Sequence, residues 1–175
     1  MFLLPISIIY LLVSVHDIAF RKIPDTFPIL ISTLGLAILV INGDWFSAVM
    51  TMGLASITFL LLAILCMAGK IGGGDVKLVA ASVLLVGAGY FLDFLLLTAL
   101  AGGVVSLVYL TASLILKFLA YLFPTLANPP SYKRSKNRLN LLWQIERRRI
   151  LRLSSIPYGV AISGGSLLTL TLMAN

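Results

Sequence analysis

Six long apolar runs, at residues 2–19, 27–42, 46–69, 76–91, 94–122 and 156–173, take up most of a chain of 175 residues. A helix crossing a bilayer needs roughly 20 apolar residues, somewhat fewer at thin or adapted sites. No soluble domain of this size hides that much apolar chain: 60% of the residues are hydrophobic, 11% are charged and the mean hydropathy is +1.08. The expected fold is therefore all-α, a polytopic membrane bundle of about six transmembrane helices. The fourth run is short and the fifth long, so the boundary near Asp93 is the least sharply drawn. The first run, "MFLLPISIIY", has no basic residue near its start and no small-residue cleavage site after it, and reads as a retained helix.

The charges orient the bundle. A net charge of +7 would point to nucleic acid in a soluble protein, but here position matters more than sum. Arg21 and Lys22 follow the first run, Lys70 and Lys77 flank the third connection, and the other nine basic residues lie between Lys117 and Arg152. All thirteen fall on one side, whereas the opposite connections hold Asp44 and Asp93. The positive-inside rule then places both termini outside and three loops in the cytoplasm. The expectation is one domain over residues 1–175 with a basic cytoplasmic loop at about 123–155. In that loop "LNLLWQIERRRILRL" mixes Leu, Trp and Ile with arginines, as an amphipathic helix on anionic lipid headgroups would. No nucleic-acid partner is expected.

Most catalytic chemistries are excluded by residue type. Cys66 is the only cysteine and lies in an apolar run, where packing is its natural role. His16 is the only histidine; it adjoins Asp17, but neighbours on a helix face different ways. No Ser/His/Asp set, HExxH or phosphate-binding G-x-x-x-x-G-K-[ST] is present, and no metal or cofactor is expected.

The carboxylates remain. Asp44 and Asp93 are assigned to outer turns and Glu146 to the basic loop. Asp17 lies near the cytoplasmic end of the first helix and Asp75 where "GGGDVK" enters the fourth, so two helices bring them to one depth. Each has a structural reading too. Asp17 stands four residues before Arg21, the spacing of a helical ion pair; Asp75 suits a helix amino terminus, where the dipole favours an anion. Ionisable groups at membrane depth usually face a bundle interior or wet cavity. Glycines permit a broken backbone or a close approach by another chain. Two close carboxylates cannot easily both ionise, and a pair with one proton can activate water and protonate a leaving amine.

"DIAFRKIPD" (Asp17 to Asp25), "GGGDVK" (Gly72 to Lys77) and "IPYGVAISGG" (Ile156 to Gly165), in that order, resemble the bacterial type IV prepilin peptidases, and the last looks like their short CpaA/TadV-type branch. The resemblance implies a GxGD-type aspartic membrane endopeptidase of the inner membrane with Asp17 and Asp75 as its catalytic pair. Gly72 and Gly74 would shape the loop. Arg21, Pro24, Lys77, Pro157, Tyr158 and Gly159 match motif positions, and Asp25 stands where many relatives have Asn, as a third nearby carboxylate. The implied substrates are prepilins, with pseudopilins as a second candidate class, cut at the inner membrane face between a basic leader and a hydrophobic segment. Long relatives carry a cytoplasmic domain with paired cysteines and methylate the new amino terminus. This chain has no cysteine pair and no room for that domain, so methylation is not expected. Two other readings use the same acids: a presenilin-like intramembrane protease, and a small proton or cation transporter with Asp17 and Asp75 as its ion site.

Overall fold

The computed structural model describes residues 3–122 and 157–174, and among them every regular element is helical. In chain order these are α1 (Leu3–Phe20), α2 (Thr26–Asn42), α3 (Trp45–Met67), α4 (Gly73–Val86), a 3₁₀ turn (Ala88–Tyr90), α5 (Phe91–Leu122) and α6 (Tyr158–Ala174). Two stretches, Trp45–Met67 and Ala88–Phe118, are long and apolar enough to cross a membrane; Leu4–Phe20, Thr26–Asn42 and Tyr158–Ala174 are shorter apolar helices. The basic loop expected at about 123–155 lies outside the described residues.

Local chemistry sets the helix ends. Gly43, with φ of 71°, closes α2 in the left-handed conformation that glycine adopts without a Cβ penalty. Asp44 then caps α3, its carboxylate accepting from the Phe46 and Ser47 amides at 3.2 and 3.3 Å. The far end of α3 closes on Gly69, φ 72°. There Gly69 N–H donates to Cys66 O at 2.9 Å and Lys70 N–H to Leu65 O at 3.0 Å, the paired bonds of a Schellman motif. The fourth apolar run ends earlier than the sequence implies, because Gly87 stops α4 and the next three residues form the 3₁₀ turn. Asp93, expected in a turn, sits in the first turn of α5, where the helix dipole favours it.

The chain divides into two units, residues 1–102 with 157–175, and residues 103–156. Within the second, the described part is the continuation of α5, with Val104, Leu107, Leu114 and Phe118 exposed. In the first, α4 is central: α2, α3 and α6 all pack against it, and α1 lies against α6 and α2. Gly35 of α2 shows how close the helices come, since a Cβ there would lie 2.8 Å from the Leu84 carbonyl carbon and the Leu85 nitrogen. The same holds where α6 meets α5, with Gly165 against the Thr98 backbone.

The interior is rich in small and hydroxyl-bearing side chains, among them Thr51, Ser82, Ser163, Ser166 and Thr169, while Ile41, Trp45, Phe46, Leu60 and Leu92 point outward. A water-soluble domain would reverse that arrangement. In lipid it is expected, because apolar side chains gain nothing by leaving hydrocarbon and helices associate through close packing and hydrogen bonds.

Candidate active site

Asp17 lies in the last turn of α1 and is only 5% exposed. Its Oδ2 accepts a hydrogen bond from Gly159 N–H at 2.8 Å, and the Val160 N–H also reaches the carboxylate. These amides belong to the first turn of α6, whose N–H groups have no acceptor inside their own helix. A carboxylate from α1 thus fills the role of an N-capping side chain for α6 and meets the positive end of its dipole. This contact explains Gly159 in physical terms. A Cβ there would lie 2.8 Å from Asp17 Oδ2 and 3.0 Å from its Cγ, closer than nonbonded atoms tolerate. Pro157, buried, precedes the helix, and Tyr158 opens it with its ring half exposed.

Asp75 is the third residue of α4, half-buried, in the first turn of the helix. Gly72, extended at φ −73°, ψ 140°, is the N-cap residue. A Cβ on Gly72 would lie 3.0 Å from Asp75 Oδ2. Asp75 and Asp17 lie within each other's electrostatic reach. The last turn of one helix and the first turn of another therefore present two carboxylates to one region.

Ile23 packs against a glycine beside each of them. A Cβ on Gly74 would come within 3.1 Å of Ile23 Cβ and 3.3 Å of its carbonyl oxygen, and a Cβ on Gly159 within 3.0 Å of Ile23 Cδ1. The turn at residues 21–25 is thus pressed against α4 and α6 at positions where both offer glycine. Two side-chain contacts hold it. His16 Nδ1 bonds the Lys22 carbonyl at 2.8 Å; since a carbonyl only accepts, Nδ1 carries the proton. Lys77 Nζ meets Asp25 Oδ1 at 2.8 Å. Arg21 makes the turn possible by taking φ 54°, the one left-handed non-glycine conformation among the described residues, with its N–H on Asp17 O at 2.8 Å. Its guanidinium lies within electrostatic reach of the Asp17 carboxylate.

The structure accordingly brings together Asp17, Asp75, Gly72, Gly74 and Gly159, with Arg21 at the edge. Lys77 and Asp25 pair with one another on the surface, the carboxylate of Asp25 being 63% exposed. Of the two uses that the sequence leaves open for Gly72 and Gly74, the structure shows close approach. The glycines of "GGGDVK" do not break the backbone: Gly73 and Gly74 are helical, and none of the three has positive φ. Gly72 and Gly74 serve instead to admit the Asp75 carboxylate and the Ile23 backbone at short range. Ile23 was not singled out from the sequence, although it lies inside "DIAFRKIPD"; an apolar residue in a turn carries no chemical signal by itself.

The type IV leader peptidase family matches residues 4–107, more than half of the chain, and the chain belongs to it. The matched segment includes both aspartates and the whole 21–25 turn, while α6, whose amides hold Asp17, lies beyond it. No curated protein and no solved structure matches the chain.

Proposed function

We propose that the chain is a prepilin leader peptidase of the aspartic GxGD type, in the short CpaA/TadV-like branch, with Asp17 and Asp75 as its catalytic pair. Family membership supports the leader peptidase activity, and the convergence of the two carboxylates from α1 and α4 supports the assignment of the residues. That convergence is the observation on which the proposal chiefly rests.

In this reading six helices span the inner membrane, both termini lie outside, and the aspartates open to the cytoplasmic face. The substrate is a prepilin of the Flp/Tad kind, bound with its hydrophobic segment among the helices and its basic leader in the cytoplasm. One carboxylate, unprotonated, takes a proton from water as the water oxygen attacks the scissile carbonyl carbon. The other, protonated, gives its proton to the leaving amine as the C–N bond breaks. The water is consumed, and the proton taken by one acid balances the proton lost by the other. Neither a covalent intermediate nor a cofactor enters the step. The N–H groups of Gly159 and Val160 fix the orientation of Asp17, an arrangement that costs no reorganisation when the reaction occurs.

The test is cleavage of a purified prepilin by the protein in proteoliposomes. Asp17→Asn and Asp75→Asn each keep shape and hydrogen-bonding capacity but remove acid–base function, and each is expected to lower kcat by at least about 10²–10⁴-fold. Cleavage at the wild-type rate by either variant overturns the assignment. A transporter using the same acids would leave the prepilin uncut and show ion flux along a gradient.

A further inference from the structure

The helix faces that carry the two aspartates and Gly159 have a second polar layer two turns away. Tyr10 stands seven residues before Asp17 on α1, Ser82 seven after Asp75 on α4, and Ser166 seven after Gly159 on α6. Seven residues are close to two full turns, so each pair shares a face about 10.5 Å apart along its helix. Tyr10 and Ser82 are fully buried, with their oxygens 2.9 Å apart. Ser166, also buried, lies near the Tyr10 hydroxyl and donates its own proton to the Ile162 carbonyl at 2.7 Å. Between the two polar layers Val13, Leu78 and Ile162 form an apolar one in the same core. The three helices thus repeat one order, from site to apolar layer to hydroxyl layer.

The apolar layer by itself fixes the axial register of these helices only loosely. Aliphatic contacts tolerate sliding, and in lipid no hydrophobic force holds helices together. A hydrogen bond constrains it more: an axial slip of one residue, about 1.5 Å, stretches a 2.9 Å pair lying across the helix axes to roughly 3.3 Å, the long edge of bonding, and a slip of two residues breaks it. The aspartates need such a constraint, because a misplacement of about 1 Å can cost on the order of 10²-fold in rate.

We propose that Tyr10 is a positioning residue: its hydroxyl, bonded to Ser82, pins α1 to α4 in the register that sets Asp17 opposite Asp75. Tyr10 touches neither aspartate and acts only through helix placement. The proposal rests on the two-aspartate reading of the site.

The experiment measures kcat, KM and thermal stability for the full-length protein in proteoliposomes with a purified prepilin. Tyr10→Phe, which loses one oxygen, is expected to lower kcat about tenfold with KM within about twofold of wild type. Ser82→Ala is expected to lower kcat less, since the Tyr10 hydroxyl remains and Ser166 lies near enough to accept from it. The double variant should be no worse than Tyr10→Phe within about twofold, as expected of two groups acting through one contact. Val86→Ala, a buried truncation at the opposite end of α4 from Asp75, is expected to lower thermal stability and leave kcat unchanged. Unchanged kcat in Tyr10→Phe overturns the proposal, as does a matching fall in kcat for Val86→Ala. Failure of the underlying reading looks different, because Asp17→Asn and Asp75→Asn would then cut normally.

Discussion

The glycines flanking the two aspartates differ in what a methyl group would meet, and that ranks their substitutions. At Gly159 it would strike the Asp17 carboxylate and Ile23 together, both at 3.0 Å or less. Gly159→Ala is therefore expected to lower kcat by tenfold or more, since relieving the contact means giving up the bond that holds Asp17. Gly74→Ala meets Ile23 at 3.1 Å, and a small retreat of the turn accommodates it; a several-fold loss in kcat is expected. Gly53, on α3, has nothing within 4 Å, and Gly53→Ala should leave activity intact while stabilising the helix by up to about 1 kcal/mol. Thermal unfolding and cleavage rates of the three variants check that order. The sequence singles out Gly72 and Gly74 and leaves two purposes for them, a broken backbone and a close approach. Close approach is a tertiary property, and nothing local to "GGGDVK" distinguishes the two uses of a missing side chain.

At the scale of elements, the turn at residues 21–25 departs most from what periodicity can anticipate. Its neighbours are legible: Pro24 separates two apolar runs, Gly43 and Asp44 mark the end of α2 and the start of α3, and Gly69 marks the end of α3. Arg21 is not, because an arginine carries no signal for a left-handed conformation. That conformation costs a non-glycine residue roughly 1–2 kcal/mol. Arg21→Gly should be more stable than Arg21→Ala by about 1 kcal/mol, while both lose the guanidinium beside Asp17 and should lose similar activity. Equal stability of the two variants would remove the backbone argument. The Lys77–Asp25 pair tethers the same turn from outside. With the two side chains 47% and 63% exposed, it should contribute about 0–1 kcal/mol and weaken with salt. Lys77→Ala is expected to change cleavage by less than about threefold, and the change should shrink at high ionic strength.

For the whole molecule, hydropathy alone indicates the helix order, and five of the six runs match their helices closely. The fourth does not, because its last residues pass Gly87 into the 3₁₀ turn. The orientation drawn from the lysines and arginines has its own test. In a Cys66→Ala background, Trp45→Cys, at the exposed start of α3, should react with an impermeant thiol reagent added outside intact cells. Lys70→Cys, at the other end of that helix, should react only after the cells are opened. The meeting of α1, α4 and α6 is partly legible: the charge map puts Asp17 and Asp75 at one depth, while the motif on α6 enters only through the family resemblance. What the sequence withheld was the manner of meeting, with α6 offering its free amides to an acid on α1, since contacts between residues 142 positions apart leave no local trace. The central claim is that Asp17 and Asp75 act as one catalytic unit. Its most direct test is single-turnover cleavage of a prepilin by Asp17→Asn, Asp75→Asn and the double variant. Two parts of one machine are expected to give losses that do not multiply, the double being about as slow as the slower single variant. Multiplying losses, or wild-type cleavage by either single variant, would contradict it.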